Sequence, residues 1–345
     1  MSEATPHTIF PEAHCIRKGL CPVTKLRHQE SNPIESHSIY FEVHGDADAL
    51  ARGESHKLVF IMGLNSSSFA WKPQVEYFTS TPELRAKYTV LVFDNRGVGN
   101  SGTPRGPYTT SGMAADAVAL LDYLDWKKER DLNIIGVSLG GMISQELAYL
   151  IPDRISSLLL AVTTPGNPHW WQNMAPWYGL KTLARLTFTP PEQRAPLAMD
   201  MLFPQSWLDE RDPDDPQGRT NREVQIEEFH FRVKNTRPQQ LMGHISQMLA
   251  ALSHHVDVVR LSEIGRRVGA RGAGWIGVVC GDEDHLVATS NSHRLVAGLR
   301  STDDEIADFE EWEGTGHGIH VQRRKKFSEL IERGVKEGIE RRAAA

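Results

Sequence analysis

From residue 57 onward the chain alternates between two rhythms. Residues 58–62 form an unbroken apolar run ending at Gly63, and residues 89–93 form another ending at Asp94. A third covers 132–137 and stops at Ser138, a fourth covers 155–162, and a fifth covers 274–280 and stops at Gly281. Short runs rich in Val and Ile predict strands buried on both faces of a parallel sheet. Ahead of them, residues 38–43 alternate apolar and polar side chains, which reads as a further strand. Residues 306–312 read as another. Helical spacing lies between the runs. Residues 113–124 place Ala117, Leu120, Leu121 and Leu124 on one face, and residues 139–150 follow the third run directly. Pro152, with no backbone donor, closes that second helix. Strands alternating with helices predict an α/β fold, a doubly wound parallel sheet with helices on both faces.

Two stretches depart from this rhythm. Residues 1–35 contain Pro6, Pro11, Pro22 and Pro33 and read as an irregular N-terminal arm. Residues 165–255 carry Trp170, Trp171, Trp177 and Trp207, amphipathic stretches at 224–233 and 238–252, and a charged loop at 209–219. They read as a helical insertion, leaving 36–164 and 256–345 as the core. The last helix is expected over 321–342, with Phe327, Leu330, Ile331, Val335 and Ile339 on its apolar face. Its basic start reads as a solvated face, because Glu329, Glu332, Glu337 and Glu340 offset most of the charge.

Composition narrows the function. The 345 residues hold 38 Lys and Arg against 44 Asp and Glu, a net charge of −6, which argues against a nucleic-acid binder. No apolar run approaches the ~18 residues of a membrane span. The N-terminus lacks the apolar core of a secretory signal. Cys15, Cys21 and Cys280 show no metal-type clustering and suit a reduced, cytoplasmic setting. Nothing in the pattern speaks to oligomeric state.

The strongest chemical signal is Gly136-Val137-Ser138-Leu139-Gly140-Gly141, a G-x-S-x-G motif between a predicted strand and a predicted helix. Glycines on either side let backbone approach a sharp corner, and Ser138 would project its hydroxyl at a helix N-terminus. A serine hydroxyl needs a base. His317, between Gly316 and Gly318 on a loop after a predicted strand, is the candidate, free to swing toward Ser138; His320 begins the next helix and suits the role less. The base needs an orienting acid. Asp282, Glu283 and Asp284 all follow the fifth apolar run at a strand's carboxyl end and are open from chemistry alone. The amides of Leu64 and Leu139 are placed to converge on an oxyanion. Asn65 and Ser66 to Ser68 could add donors or equally serve as a helix start. The glycine-rich stretch 94–102 lacks the Gly-Lys-Ser/Thr ending of a nucleotide loop, and Asp94 and Arg96 are expected to pair and fix it.

Taken in order, these pieces resemble the α/β-hydrolase superfamily. The matching segments are Phe60-Ile61-Met62-Gly63-Leu64, Asp94 through Ser101, Gly136 through Gly141, Gly281-Asp282-Glu283-Asp284 and Gly316-His317-Gly318. The resemblance implies an α/β-hydrolase fold, a mostly parallel central sheet with helices on both faces and an inserted helical cap over 165–255. It implies Ser138 as nucleophile, His317 as base and oxyanion amides at Leu64 and Leu139. The family's acid stands three residues past the strand-ending glycine, which selects Asp284. Two positions depart from many members: Met62 and Val137 stand where histidine is common. Serine at 138, rather than aspartate, points away from the epoxide-hydrolase and haloalkane-dehalogenase branches. The implied activity is hydrolysis of an ester, thioester or related acyl bond, with no metal or organic cofactor. The partner is a small-molecule, apolar substrate, with Asn65, Trp170, Trp171, Trp177 and Tyr178 as candidate contacts; the aromatic residues equally suit the cap's own small core. Acyl transfer, carbon–carbon hydrolysis, a lyase step or a receptor with little turnover are the alternatives on the same fold.

Overall fold

The computed structural model describes residues 7–26, 34–190, 193–269, 273–301 and 306–344. Eight strands form one sheet: β1 (Cys15–Leu26), β2 (Ile34–His44), β3 (His56–Ile61), β4 (Tyr88–Phe93), β5 (Leu132–Val137), β6 (Ile155–Ala161), β7 (Trp275–Gly281) and β8 (Asp308–Trp312). Their spatial order is β1-β2-β4-β3-β5-β6-β7-β8. β2 runs antiparallel to both β1 and β4, and every other pairing is parallel. The five apolar runs are β3 to β7.

Their lack of polar alternation has a direct cause. Successive side chains on a strand point to opposite faces, and both faces are covered. Val59, Ile61, Leu91, Ile134, Leu158 and Ile276 pack on one side, while Leu58, Phe60, Val90, Ile135, Leu159 and Trp275 pack on the other.

The expected irregular arm is corrected here. Within residues 1–35 the chain forms β1, an edge strand paired with β2 from Cys15↔His44 to Leu26↔Ile34. Residues 1–6 and 27–33 lie outside the described residues. Pro22 is compatible with β1 because an edge strand leaves one row of donors unused. It faces solvent between buried Cys21 and Val23.

Helices cover both faces. In chain order they are α1 (Ala47–Arg52), α2 (Lys72–Thr79), α3 (Pro82–Lys87), α4 (Thr110–Tyr123), α5 (Leu139–Leu150), α6 (Trp177–Phe188), α7 (Arg194–Leu202), α8 (Gln205–Asp209), α9 (Asn221–Asn235), α10 (Leu241–Leu252), α11 (Val258–Val268), α12 (Thr289–Leu299), α13 (Ile319–Gln322) and α14 (Arg324–Ala344). α6 to α10 fall between β6 and β7. Some of them share a small core of Ala198, Met199, Phe203 and Leu208, backed by Ile226, Phe229 and Val321. α14 buries Phe327, Leu330, Ile331 and Val335, and its basic start is matched by acids: Arg324 pairs with Asp212 and Asp214, and Lys325 approaches Glu329. Cys15, Cys21 and Cys280 are free thiols. Among the described residues no helix is long and apolar enough to cross a membrane.

From β3 the chain crosses to β4 on one side; from β5 it crosses to β6 on the other. The crevice beyond the carboxyl ends of β3 and β5 is therefore a topological switch point, where open α/β sheets collect ligands.

His254, at the end of the insertion, is buried with Nδ1 2.9 Å from Thr110 Oγ1. Burial, aided by Arg260 and His255, pushes its pKa down to about 3. The unfolded side chain protonates near pH 6.5. Between those values the unfolded state binds more protons, so stability falls as pH drops through the window. His254→Gln should therefore remove about 2 kcal/mol of the stability lost between about pH 7 and about pH 5. Urea unfolding at the two pH values reads this, and identical pH dependence in both proteins would contradict it.

Candidate active site

Ser138 sits at the corner between β5 and α5 with φ 57° and ψ −122°. A non-glycine residue at positive φ is a strained position held by its surroundings. Those surroundings are backbone. A Cβ on Gly136 would lie 2.5 Å from the Gly140 oxygen, and one on Gly140 would lie 2.0 Å from the Ile61 oxygen. The Ser138 N–H donates to the Ala161 oxygen at 2.9 Å, and its carbonyl accepts from Gly141 N–H and Thr163 Oγ1. The corner is thus locked to β6 on one side and to the end of β3 on the other.

The same crowding brings the turn after β3 beside the hydroxyl. A Cβ on Gly63 would lie 3.1 Å from Ser138 Cβ and 3.6 Å from its Oγ. Among the described residues, neither the Leu64 N–H nor the Leu139 N–H makes a hydrogen bond. Asn65 is held from the insertion. Its N–H donates to Gln247 Oε1 at 2.9 Å, and its Oδ1 accepts from Gln239 Nε2 at 3.1 Å. Both partners come from the insertion. Gln247 is fully buried on α10 and also donates to the Arg96 carbonyl at 2.8 Å. Nothing local in the sequence marks Gln247 or Gln239, since a glutamine on an amphipathic helix carries no signature of what it will meet.

Asp284 and His317 are brought together. His317 Nδ1 lies 2.8 Å from Asp284 Oδ2, and both residues are buried. The other carboxylate oxygen accepts the N–H groups of Leu286 and Val287 at 2.8 and 2.9 Å. Asp282 and Glu283 are exposed; Asp282 instead accepts the Thr315 N–H at 3.1 Å and ties the two loops. The loop of His317 does not swing freely, contrary to expectation. Gly318 N–H donates to the Leu202 oxygen, Gly316 N–H donates to Gln322 Oε1, and both glycines press on residues 202–204. The link from Ser138 to His317 is open: among the described residues neither Ser138 Oγ nor His317 Nε2 makes a hydrogen bond. Such bonds are often long before substrate arrives. His320 is buried against Trp71 at 5.0 Å with both ring nitrogens unpartnered, and burial pushes its pKa down to about 3.

A family model described as the alpha/beta hydrolase fold matches residues 57–232, just over half of the chain. The chain belongs to the α/β-hydrolase family. A 3-oxoadipate enol-lactonase of Acinetobacter baylyi is 34% identical over 120 residues, 34% of this chain and 42% of that protein. A provisionally named carbamate hydrolase, RutD, of Caulobacter segnis is 28% identical over 84% of this chain and 94% of its own length. The crystal structure of an enol-lactonase from Burkholderia xenovorans LB400 superposes with TM-score 0.62 at 18% identity, covering 87% of this chain and 97% of that one.

One further expectation is corrected in this hydrolase. Asp94 and Arg96 do not pair. Asp94 is fully buried and accepts the N–H groups of Ser68 and Asn100, both at 2.7 Å, while Arg96 Nη2 donates to Asp116 at 2.6 Å. The aromatic residues read as pocket-liners are largely exposed: Trp170, Trp171 and Tyr178 about half, Trp177 at 78%. Trp171 stacks on His169, Tyr178 leans on His285 beside the acid, and Trp177 lines a surface groove along α6 that contains none of Ser138, Asp284 and His317. Outward-facing tryptophans leave the same trace in sequence as buried ones.

The corner at Ser138 predicts a sharp penalty. Gly140→Ala drives a methyl into the Ile61 carbonyl and should cost on the order of 3 kcal/mol, measured by urea unfolding. A variant as stable as wild type would contradict the close approach.

Proposed function

We propose that the protein is a serine hydrolase of esters, lactones or related acyl compounds, working through Ser138, His317 and Asp284. The observation that carries this reading is the buried His317–Asp284 hydrogen bond placed in the same fold as a serine at a strained strand-to-helix corner. The enol-lactonase and carbamate-hydrolase relatives support the reaction class, since both names describe cleavage at an acyl carbon.

In this mechanism Ser138 Oγ attacks the acyl carbon while His317 Nε2 takes its proton. Asp284 holds the imidazole through Nδ1, and its second oxygen is fixed by two backbone donors, so the acid cannot rotate away. The unengaged amides of Leu64 and Leu139 receive the oxyanion; one such donor is typically worth about 3 kcal/mol in the transition state. The tetrahedral adduct expels the leaving oxygen, which takes the proton from His317. Water, deprotonated by the same histidine, then attacks the acyl-serine. The acid leaves and Ser138 recovers its proton. Residues 165–255 serve as the cap over this site, which keeps bulk water from the acyl-enzyme.

A fluorophosphonate probe should label the wild-type protein and leave Ser138→Ala unlabelled; equal labelling would remove Ser138 as nucleophile. With an ester that the wild type cleaves, Asp284→Asn should lower kcat on the order of 10⁴-fold, with Asp282→Asn costing far less. The reverse ranking would move the orienting acid to Asp282.

A further inference from the structure

Among the charges on the inserted helices that the mechanism does not use, Arg232 differs from the rest in its surroundings. Gln225, Phe229 and Arg232 of α9 and its C-cap Thr236 share one face at helical spacing. Gln225 is buried, Phe229 packs on the small core of Ala198, Met199, Phe203 and Leu208, and Thr236 Oγ1 lies 3.3 Å from Ser67 Oγ. Glu228, on the edge of that face, accepts from Lys72 Nζ at 2.8 Å. These neighbours fix where Arg232 points. Glu228 and Thr236, four residues to either side of Arg232, meet Lys72 and Ser67, so Arg232 lies on the face turned toward residues 67–72, and its charge acts on His320.

Arg232 makes no hydrogen bond or ion pair among the described residues. Several other arginines are matched by acids, Arg96 by Asp116, Arg260 by Glu146, Arg222 by Asp200 and Arg324 by Asp212, while Arg130 and Arg300 donate to carbonyl oxygens. The one charge acting on Arg232 is Glu228, already committed to Lys72, and burial pushes the guanidinium pKa down. His320 beside it offers no counter-charge. It is held neutral by burial first and by Arg232 and His317 next. Arg232 is half-buried, and its unused donors are free to meet an anion that enters beside them.

We propose that Arg232 is an anion subsite for a carboxylate carried by the substrate, so that the preferred ester or lactone is a half-acid rather than a neutral apolar molecule. This rests on the hydrolase reading above. A planar fork of donors meets a carboxylate through two parallel bonds. Anchoring the charged end between α9 and the Ser68–Trp71 turn would leave the acyl carbon of an extended substrate to reach Ser138.

The test compares p-nitrophenyl hydrogen glutarate with p-nitrophenyl pentanoate, which match in chain length and differ in the terminal carboxylate. Wild type should prefer the charged ester by roughly 10–100-fold in kcat/KM, chiefly through KM. Arg232→Gln should collapse that ratio toward one, and Arg232→Lys should restore part of it. An unchanged ratio in Arg232→Gln, or a wild type that favours the pentanoate, overturns the subsite. If the pentanoate is cleaved and the fluorophosphonate labels Ser138, that failure leaves the hydrolase reading standing. If neither ester is cleaved and no label appears, the hydrolase reading fails. Calorimetric binding of glutarate to Ser138→Ala, lost on adding Arg232→Gln, then decides the subsite by itself: binding that depends on Arg232 supports it, and absent or Arg232-independent binding overturns it.

Discussion

Two backbones meet at the rim of the sheet with no room for a side chain between them. Gly140 lies against the carbonyl of Ile61, and Gly63 lies against Ser138. Because β3 and β5 are parallel neighbours in register, Ile61 beside Gly136, their carboxyl ends arrive at the same height. The turn after one and the helix after the other must then share the same space. Glycine at these positions resolves the crowding, and Ser138, like Asn65 and Val162 nearby, is held at a positive φ. Both candidate oxyanion amides belong to this one contact.

The rest of the site is braced from the insertion. Gln247 and Gln239 reach down from residues 239–247 to the turn at Asn65, and the Leu202 carbonyl reaches the loop of His317. The proposed cap therefore touches the turn beside the nucleophile and the loop of the base at separate points. An insertion that supplies hydrogen bonds to both loops from separate helices braces the two of them. The helical insertion and the chemistry are mechanically one unit, which gives substitutions in α10 a route to activity without substrate contact.

Buried charge is handled in two ways in this molecule. Most of it is closed off: Arg96 with Asp116, Asp94 with two backbone donors, Asp284 with two donors and a histidine. A carboxylate so enclosed is a structural pin, since leaving any of these groups unpartnered would cost several kcal/mol. Arg232 breaks that habit. It makes no hydrogen bond or ion pair among the described residues, and the proposed anion subsite rests on that.

Sequence alone determined the layered fold and the identity of the elbow. Apolar runs report burial on both faces whatever the neighbours are, and Gly136-Val137-Ser138-Leu139-Gly140 encodes a sharp turn through local backbone freedom. The same locality explains what was misread. β1 was hidden because Pro22 disrupts strands except at an edge, and being at an edge is a property of the assembled sheet. Asp282 and Asp284 are chemically equal along the chain; only the packing of the β7 and β8 loops turns one toward His317 and the other toward Thr315. The pairing of Arg96, the outward turn of Trp177, the grip of Gln247 and the solitude of Arg232 were likewise decided in three dimensions. A side chain's partner depends on segments 20 to 250 residues away, and periodicity carries no information across that distance.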